Sequence, residues 1–152
     1  MNTYRTILVR RTLAAPADAV FAILADHAGY TRFPGVRSAI VTQPGLDDPD
    51  GLGAIREVYL GSAWFREEIT AFEPGRRLEY RILDSRPPIE HLIGRITLAP
   101  AESGCAVEWL STFRITTPLV GGIMTVIAQW QMGKGFASAL KAADRLALAR
   151  SD

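Results

Sequence analysis

The sequence predicts an α+β fold in which an antiparallel sheet of about seven strands is combined with two short helices and one long terminal helix. Three observations support this prediction. Short β-rich segments separated by tight turns follow one another through most of the chain. Helical patterns occur only after the first strand and at the end. The 152 residues contain no internal repeat and no linker, so we expect a single domain, 1–152, with a substantial core.

The N-terminal region is predicted to contain one strand and two short helices. Residues 6–13 alternate between apolar and polar side chains and are rich in strand-forming types. Pro16 suits the start of the first helix, and Asp18 lies in the first turn, where the helix dipole favours an acid. Residues 26–33 look like a second short helix, which Pro34-Gly35 ends.

The middle of the chain is predicted to be a series of strands. They cover residues 36–42, 54–60, 63–72, 78–83, 91–98 and 105–115. Turn-forming residues separate these strands, including a Pro-, Gly- and Asp-rich stretch at 44–53 and a proline-broken loop at 84–88. Because the connections are short, we expect neighbouring strands to run antiparallel.

The last helix is predicted to run from about Thr117 to Ala149. Thr117 can cap it, and Pro118 suits the first helical position, where no N–H is needed. About thirty residues at 1.5 Å each give a rod of roughly 45 Å. The first half is apolar nearly all round, whereas the second half has a narrow apolar stripe. We therefore expect the first half to help close a cavity, an ordinary core helix being the alternative.

Gly133 and Gly135 lie between the two halves of this helix. Each interior glycine costs on the order of 1 kcal/mol of helix stability, so the pair needs a physical reason. A bend or the close approach of another backbone would supply one. In either case we expect replacement of both glycines by alanine to destabilise the protein.

Composition argues against several classes of protein. The formal net charge of +1 gives no electrostatic reason to expect a nucleic acid partner. The single cysteine, Cys105, excludes an internal disulfide and fits a reducing cytoplasm, the expected location. No apolar run approaches eighteen residues and the N-terminus lacks a signal-peptide pattern, so no membrane span and no secretion are expected.

The common signatures of catalysis are absent from the sequence. There is no Cys-x-x-Cys, no phosphate loop and no dinucleotide glycine fingerprint. His27 and His91 are far apart in the chain, and we expect neither a metal nor a cofactor. His27 is expected to be exposed between the two short helices, and His91 is expected at a solvated strand end, with the cavity mouth as an alternative.

Several short stretches resemble the SRPBCC superfamily, which includes START domains, birch-pollen-allergen-like proteins, polyketide cyclases/dehydrases and abscisic acid receptors. Residues 13–26 resemble its strand-to-helix entry, and residues 30–36 are similar to the coenzyme Q-binding and oligoketide cyclase branch. Residues 53–58, 66–69 and 73–78 resemble the cyclase and hormone-receptor branch. The resemblance covers essentially the whole chain. It implies a helix-grip fold, in which the sheet wraps the last helix and leaves a mostly apolar pocket.

Glu67 is the first candidate ligand-binding residue. Ile69 has to face inward if the strand 63–72 contributes to the core, and a period of two then places Phe65, Glu67 and Ala71 beside it. The resemblance to abscisic acid receptors, where a glutamate at the matching place lines the pocket, implies the same position for Glu67. The alternative is a β-bulge that turns Glu67 towards water.

Arg56 is the expected partner of Glu67, because the neighbouring strand of the same hairpin carries it and a buried carboxylate needs a partner. An Arg that faces water from a solvated strand is the alternative. Tyr80 is in step with Leu78 and Ile82, so its hydroxyl can meet a ligand. The other candidate pocket residues are large and apolar: Ile69, Trp109, Ile123, Ile127 and Trp130.

These observations leave three hypotheses for function. The first is binding of a small hydrophobic or amphipathic ligand, such as a lipid, polyketide, isoprenoid or aromatic molecule. The second is a polyketide cyclase or dehydratase in which Glu67, with Arg56 or Tyr80, acts as an acid or base in a dry cavity. The third is a quinone or lipid chaperone of the coenzyme Q-binding type. The apolar first half of the last helix is also a candidate homodimer surface.

Overall fold

A computed structural model describes residues 2–150 and has the predicted fold class. Seven antiparallel strands form one sheet in the order β1-β7-β6-β5-β4-β3-β2. Helix α1 spans Ala17–Ala25, a 3₁₀ helix spans His27–Arg32, and α2 spans Gly121–Arg150. The strands are β1 (Arg5–Leu13), β2 (Val36–Gln43), β3 (Ile55–Leu60), β4 (Ala63–Glu73), β5 (Arg77–Arg86), β6 (Ile89–Pro100) and β7 (Cys105–Ile115).

The turn between β5 and β6 is much shorter than the loop predicted at 84–88. β5 continues to Arg86 and β6 begins at Ile89, which leaves only Pro87-Pro88 between them. Side chains bond the backbone next to the prolines: the Ser85 hydroxyl donates to the carbonyl of Pro87 at 2.8 Å, and Asp84 accepts from the Ser85 N–H at 2.9 Å. Local side-chain hydrogen bonds of this kind let polar residues end a strand without a long loop.

Helix α2 begins four residues later than predicted. Leu119 has a φ of 69°, which a right-handed helix does not permit, so residues 117–120 form a turn before the helix. Thr125 then ties the helix to the end of β7, because its Oγ1 accepts from the Ile115 N–H at 2.8 Å and donates to the Gly121 carbonyl at 2.7 Å. A Cβ at position 121 would clash with the Ile115 carbonyl oxygen, so only glycine allows this approach.

The predicted close approach of a backbone at Gly133 and Gly135 is wrong. A Cβ added at Gly133 would lie 3.8 Å from Cγ2 of Ile7, an ordinary contact, and a Cβ at Gly135 would meet nothing within 4 Å. Gly135 instead borders the cavity described below. The helix continues through both glycines without interruption.

The two halves of α2 pack differently, as the sequence predicts. The second half buries Phe136, Leu140 and Ala143 against the core, whereas only Gly121 and Thr125 are buried in the first half. Asp144 also accepts hydrogen bonds from the backbone N–H groups of Ala14 and Ala15, at 3.2 and 2.8 Å. The second half therefore anchors α2, and the first half borders the cavity described below.

One side of the first half of α2 is apolar and faces solvent. We call this the outward face of α2; it consists of Ile123, Val126 and Trp130 of the helix together with Leu119 and Val120 of the turn before it, all exposed. The ammonium group of Lys134 lies 3.9 Å above the Trp130 ring. Among residues 2–150, no helix has the length and hydropathy that a membrane span needs. The expected homodimer through this region remains a prediction.

Candidate ligand-binding cavity

A cavity of about 540 Å³ lies between the sheet and α2. Its volume falls within the range of small-molecule binding sites. All seven strands, the 3₁₀ helix with the loop after it, and α2 contribute residues to its wall, β2 through Val36. Most of these are apolar, among them Val58, Phe65, Ile82, Phe113, Met124 and Ala139.

An ion pair between Arg56 and Glu67 forms part of the cavity wall. The two residues lie directly opposite each other in the β3–β4 hairpin, and Arg56 Nε donates to Glu67 Oε1 at 2.9 Å. Arg56 is only 2% exposed and Glu67 only 8%, so water contributes little to their solvation. The predicted inward orientation and pairing of these residues are therefore confirmed.

The register of β4 agrees with the prediction over only part of the strand. Phe65, Glu67 and Ile69 are buried as expected. The pairing with β5 then shifts between Ile69 and Ala71, and Phe72 packs against the core, with its ring 5.3 Å from that of Phe21. The inward position predicted for Ala71 is wrong because this bulge changes the face. Ile69 lies in the core and does not line the cavity.

Three further side chains, those of His27, Tyr30 and Tyr80, contact the Arg56 guanidinium. Its Nη1 bonds Nδ1 of His27 and the hydroxyl oxygen of Tyr30, both at 2.9 Å. Its central carbon also lies 4.9 Å from the Tyr30 ring centroid and 5.2 Å from that of Tyr80, distances at which a cation is attracted to an aromatic face. Because Arg does not deprotonate in proteins, this position holds a fixed buried cation.

His27 is fully buried, so the expectation that it is exposed is wrong. A guanidinium can only donate, so Nδ1 accepts from Arg56 and the ring proton is on Nε2, which donates to the Asp50 carbonyl at 2.8 Å. Burial, reinforced by the Arg56 charge, lowers the pKa of His27 to about 3. His27 is therefore neutral near pH 7 and connects the ion pair to the 44–53 segment.

Tyr30 completes the support on this side of Arg56. Its hydroxyl accepts from Arg56 and donates to the backbone carbonyl of Leu24 at 2.6 Å. Burial raises the pKa of Tyr30, which keeps the phenol protonated. Sequence reasoning did not single out Tyr30 as a pocket residue. No local pattern identifies it, because its partners come from α1 and from β3.

Tyr80 belongs to a second cluster of polar side chains, with Trp109, His91 and Ser111. Its hydroxyl oxygen accepts from Trp109 Nε1 at 3.0 Å, and its ring stacks on that of His91, with centroids 5.6 Å apart. His91 Nδ1 accepts from the Ile82 N–H at 3.1 Å, and His91 Nε2 lies 3.2 Å from the Ser111 hydroxyl oxygen. Burial raises the pKa of Tyr80, while for His91 burial, followed by the Arg81 charge, lowers the pKa to about 4.

Two positions in this second group differ from expectation. His91 is buried, so the preferred interpretation of a solvated strand end is wrong. Ser111 lines the cavity and was not predicted as a pocket residue. The signal for it was present in the sequence, since Ser111 lies two residues after the inward-facing Trp109 on the same strand.

The apolar candidates divide into two groups. Trp109 and Ile127 line the cavity, and the Trp109 ring stacks on Phe136 with centroids 4.0 Å apart. Ile123 and Trp130 do not line it and instead belong to the exposed outward face of α2. The helical period explains this difference, because Met124, Ala128 and Gln131 occupy the side that faces the cavity. The predicted pocket positions of Ile123 and Trp130 are therefore corrected.

The chemistry available in the cavity is that of hydrogen bonding within an apolar space. Arg56 and Glu67 together carry no net charge, so the wall does not select strongly for an ionic ligand. Among the residues that the structure describes, no group of three or more His, Cys, Asp or Glu side chains could hold a metal ion. The site suits a largely apolar molecule with a few polar atoms.

Known proteins provide an independent comparison. The family model described as polyketide cyclase / dehydrase and lipid transport matches residues 5–147. No curated protein matches the chain significantly.

Similar solved structures include TTHA0849 from Thermus thermophilus, with a TM-score of 0.82, 19% identity and coverage of 97% of this chain and 100% of that one. The Zhui aromatase/cyclase from a Streptomyces species has a TM-score of 0.77, 20% identity and coverage of 99% and 97%. A START superfamily protein from Mycobacterium smegmatis has a TM-score of 0.71, 13% identity and coverage of 93% and 97%. These likenesses establish the helix-grip fold that the sequence predicts.

Proposed function

The chain belongs to the polyketide cyclase/dehydrase and lipid transport family, within the SRPBCC superfamily, and from this premise we propose that it binds a small hydrophobic or amphipathic ligand. The site is the cavity between the sheet and α2. The observation that best supports this proposal is an apolar space of about 540 Å³ with one buried ion pair in its wall. The apolar walls would hold the body of the ligand, and the Arg56–Glu67 pair would bind a polar atom.

The energetics of the ion pair support a role in binding. Removing two charges from water costs several kcal/mol, and replacing a buried pair by apolar side chains is often neutral or stabilising, so stability alone gives little reason for the pair. Within residues 2–150, the hydrogen bonds leave Arg56 Nη2 and Glu67 Oε2 without partners. These two atoms can donate to and accept from a bound molecule. The ligand classes that fit are lipids, polyketides, isoprenoids and neutral aromatic compounds.

A fluorescent ketone tests this proposal. The probe is 6-propionyl-2-(dimethylamino)naphthalene, which is neutral, largely apolar and smaller than the cavity. We expect saturable one-to-one binding. Gly135→Phe should weaken binding by at least about tenfold, because Gly135 borders the cavity and a large side chain there would narrow it.

Ser138→Phe is the matched control for this experiment. Ser138 is exposed on the same helix and does not line the cavity, so its substitution should leave the affinity unchanged. If Gly135→Phe has no larger effect than Ser138→Phe, the probe reports a surface site and the proposed cavity function is wrong.

A cyclase or dehydratase is the second candidate, favoured by the unpartnered Oε2 of Glu67 in an apolar cavity. In this reaction Glu67 would remove a proton from a methylene group between two carbonyls. The resulting carbanion would form a carbon–carbon bond with a ketone carbon, and the Tyr80 hydroxyl would donate a proton to the alkoxide oxygen. The proton on Glu67 would return to the Tyr80 oxygen, and dehydration would then break the carbon–oxygen bond of the alcohol and remove the remaining α-hydrogen, which releases water and leaves a carbon–carbon double bond.

The proton-removal step can be measured alone. Exchange of the methylene hydrogens of 1-phenyl-1,3-butanedione in heavy water, followed by NMR, should be faster with the native protein than with Glu67→Gln if catalysis occurs. Equal exchange rates for the two proteins would contradict the enzyme candidate and leave the binding proposal untouched.

A further inference from the structure

Most polar groups around the cavity already have partners. Arg56 uses Nε and Nη1, and the Tyr30 hydroxyl both accepts and donates. His27 uses both ring nitrogens. These groups hold one another in place and leave Arg56 Nη2 and Glu67 Oε2 available to a ligand. Ser111 and Tyr80 also line the cavity, and their hydrogen bonds determine what each hydroxyl can offer a ligand.

The proton positions around Ser111 follow from a backbone donor. The Ile82 N–H can only donate, so His91 Nδ1 accepts from it and the ring proton of neutral His91 lies on Nε2. Nε2 therefore donates to the Ser111 oxygen at 3.2 Å. The Ser111 hydroxyl hydrogen has no acceptor among residues 2–150, and its side chain lines the cavity. Ser111 is consequently oriented as a donor towards the cavity.

Tyr80 repeats this arrangement with a different partner. The Trp109 indole N–H can only donate, so the Tyr80 oxygen accepts from it at 3.0 Å. The hydrogen bonds of the described chain provide no acceptor for the Tyr80 hydroxyl hydrogen. Burial raises the pKa of Tyr80, so the phenol keeps this proton at neutral pH. His91 links the two hydroxyls, because it bonds Ser111 and stacks on the Tyr80 ring.

We propose that Ser111 and Tyr80 form a donor subsite for an acceptor oxygen of the ligand, such as that of a ketone, ester or ether. His91 and Trp109 are positioning residues, because each occupies the oxygen of one hydroxyl and so directs its hydrogen into the cavity. This inference rests on the proposed function and specifies the chemistry of its ligand. A ligand without an acceptor at this place would leave two buried donors unpaired.

A pair of matched probes tests this selectivity. One is the naphthyl ketone used above, and the other is 6-propyl-2-(dimethylamino)naphthalene, in which a methylene group replaces the carbonyl. The native protein should bind the ketone more tightly than the propyl compound by about tenfold or more. Ser111→Ala and Tyr80→Phe should each reduce ketone affinity by about tenfold and leave propyl affinity within about twofold.

Thr112→Val is the control on the same strand. Thr112 follows Ser111 but points to the outer side of the sheet, where its hydroxyl lies 2.9 Å from that of Thr6. Its substitution should change neither affinity. The emission of the bound ketone should also move to shorter wavelength in Ser111→Ala, because the carbonyl loses a hydrogen-bond donor, and should not move in Thr112→Val.

A double-mutant cycle separates positioning by His91 from a general structural role. His91→Phe should weaken ketone binding in the native background and have no further effect in the Ser111→Ala background. Equal effects in both backgrounds, or equal losses for the two probes in Ser111→Ala, would overturn the donor subsite while leaving ligand binding in the cavity intact. If neither probe binds in the cavity of the native protein, the proposed function is wrong, and this inference falls with it.

Discussion

Arg56 and Glu67 face each other directly across the β3–β4 hairpin, with Nε of the first 2.9 Å from Oε1 of the second. The hairpin closes through Gly61-Ser62, and Gly61 has a φ of 60°, which favours glycine. Because turn length and turn type fix the register of a hairpin, this short connection sets the position of the charged pair in the cavity.

Glu67→Gln should weaken binding of the naphthyl ketone and lower the free energy of unfolding by about 1–3 kcal/mol. The amide can still accept from Arg56 Nε, so the loss should be smaller than the about 3–5 kcal/mol expected when a buried charge loses its partner altogether. Urea denaturation and fluorescence titration measure the two quantities.

Glu68→Gln is the matched control for this prediction. Glu68 is the next residue on β4 and does not line the cavity, so its substitution should change neither quantity appreciably. If the two variants behave alike, or if Glu68→Gln is the damaging one, the assignment of Glu67 to the binding site is wrong.

Acid should destabilise the protein through His27. The pKa of His27 is about 3 in the folded protein, because of burial and the nearby Arg56 charge, against an ordinary value of 6.5. At pH values between these two pKa values, the unfolded chain therefore binds more protons than the folded protein. The free energy of unfolding should consequently fall as the pH drops from about 6.5 to about 3. The contribution of His27 should be about 3–5 kcal/mol over this window.

His27→Gln isolates this contribution. Glutamine can accept from Arg56 and donate to the Asp50 carbonyl, so the network should survive while the titrating group is lost. Urea denaturation between pH 7 and pH 3.5 should show a shallower loss of stability in the variant. The NMR signals of His27 in the native protein should not titrate above about pH 4; a titration near pH 6.5 would contradict the burial of the ring.

Gly133→Ala and Gly135→Ala should together raise the free energy of unfolding by about 1–2 kcal/mol. This reverses the expectation from sequence, because neither added methyl group meets a close neighbour. Gly94→Ala provides the contrast, since its methyl group would clash with the Tyr80 ring and should destabilise the protein. Thermal unfolding of the double variant and of Gly94→Ala measures these effects, and a lower melting temperature for the α2 double variant would contradict the prediction.

The sequence-based expectation of a homodimer can be tested at the outward face of α2. Large exposed apolar patches are uncommon on monomers, and a two-fold axis would allow this face to cover its own copy. Sedimentation of the native protein should then show a dimer, and Ile123→Asp should shift it to monomer. Leu92→Asp is the control, because Leu92 is 58% exposed, close to the 68% of Ile123, but lies on β6. A monomeric native protein would contradict this expectation.

The parts of the site that sequence predicts are those governed by local rules. A period of two and a short hairpin are sufficient to place Arg56, Glu67 and Tyr80 on the inner face of the sheet. His27 could not be placed, because its burial depends on Asp50, in a segment whose path over the 3₁₀ helix no periodicity reveals.

Two further differences have the same kind of cause. The bulge after Ile69 reverses the face of β4 without any glycine or proline in the strand to signal it. His91 is oriented by Ser111, a residue from the neighbouring strand, and only the three-dimensional pairing brings the two together.

The two edges of the sheet complete their pairing at different times. β2 pairs with β3, the next strand along the chain, whereas β1 pairs only with β7, the last of the seven strands, with Arg5 opposite Phe113. During synthesis β1 is made before the other six strands, and its apolar residues Ile7 and Val9 stay without a strand partner until β7 has been made. Such long-range pairing slows folding. Apolar strands that stay exposed meanwhile can aggregate or bind chaperones. The cavity is closed later still, because α2 follows β7.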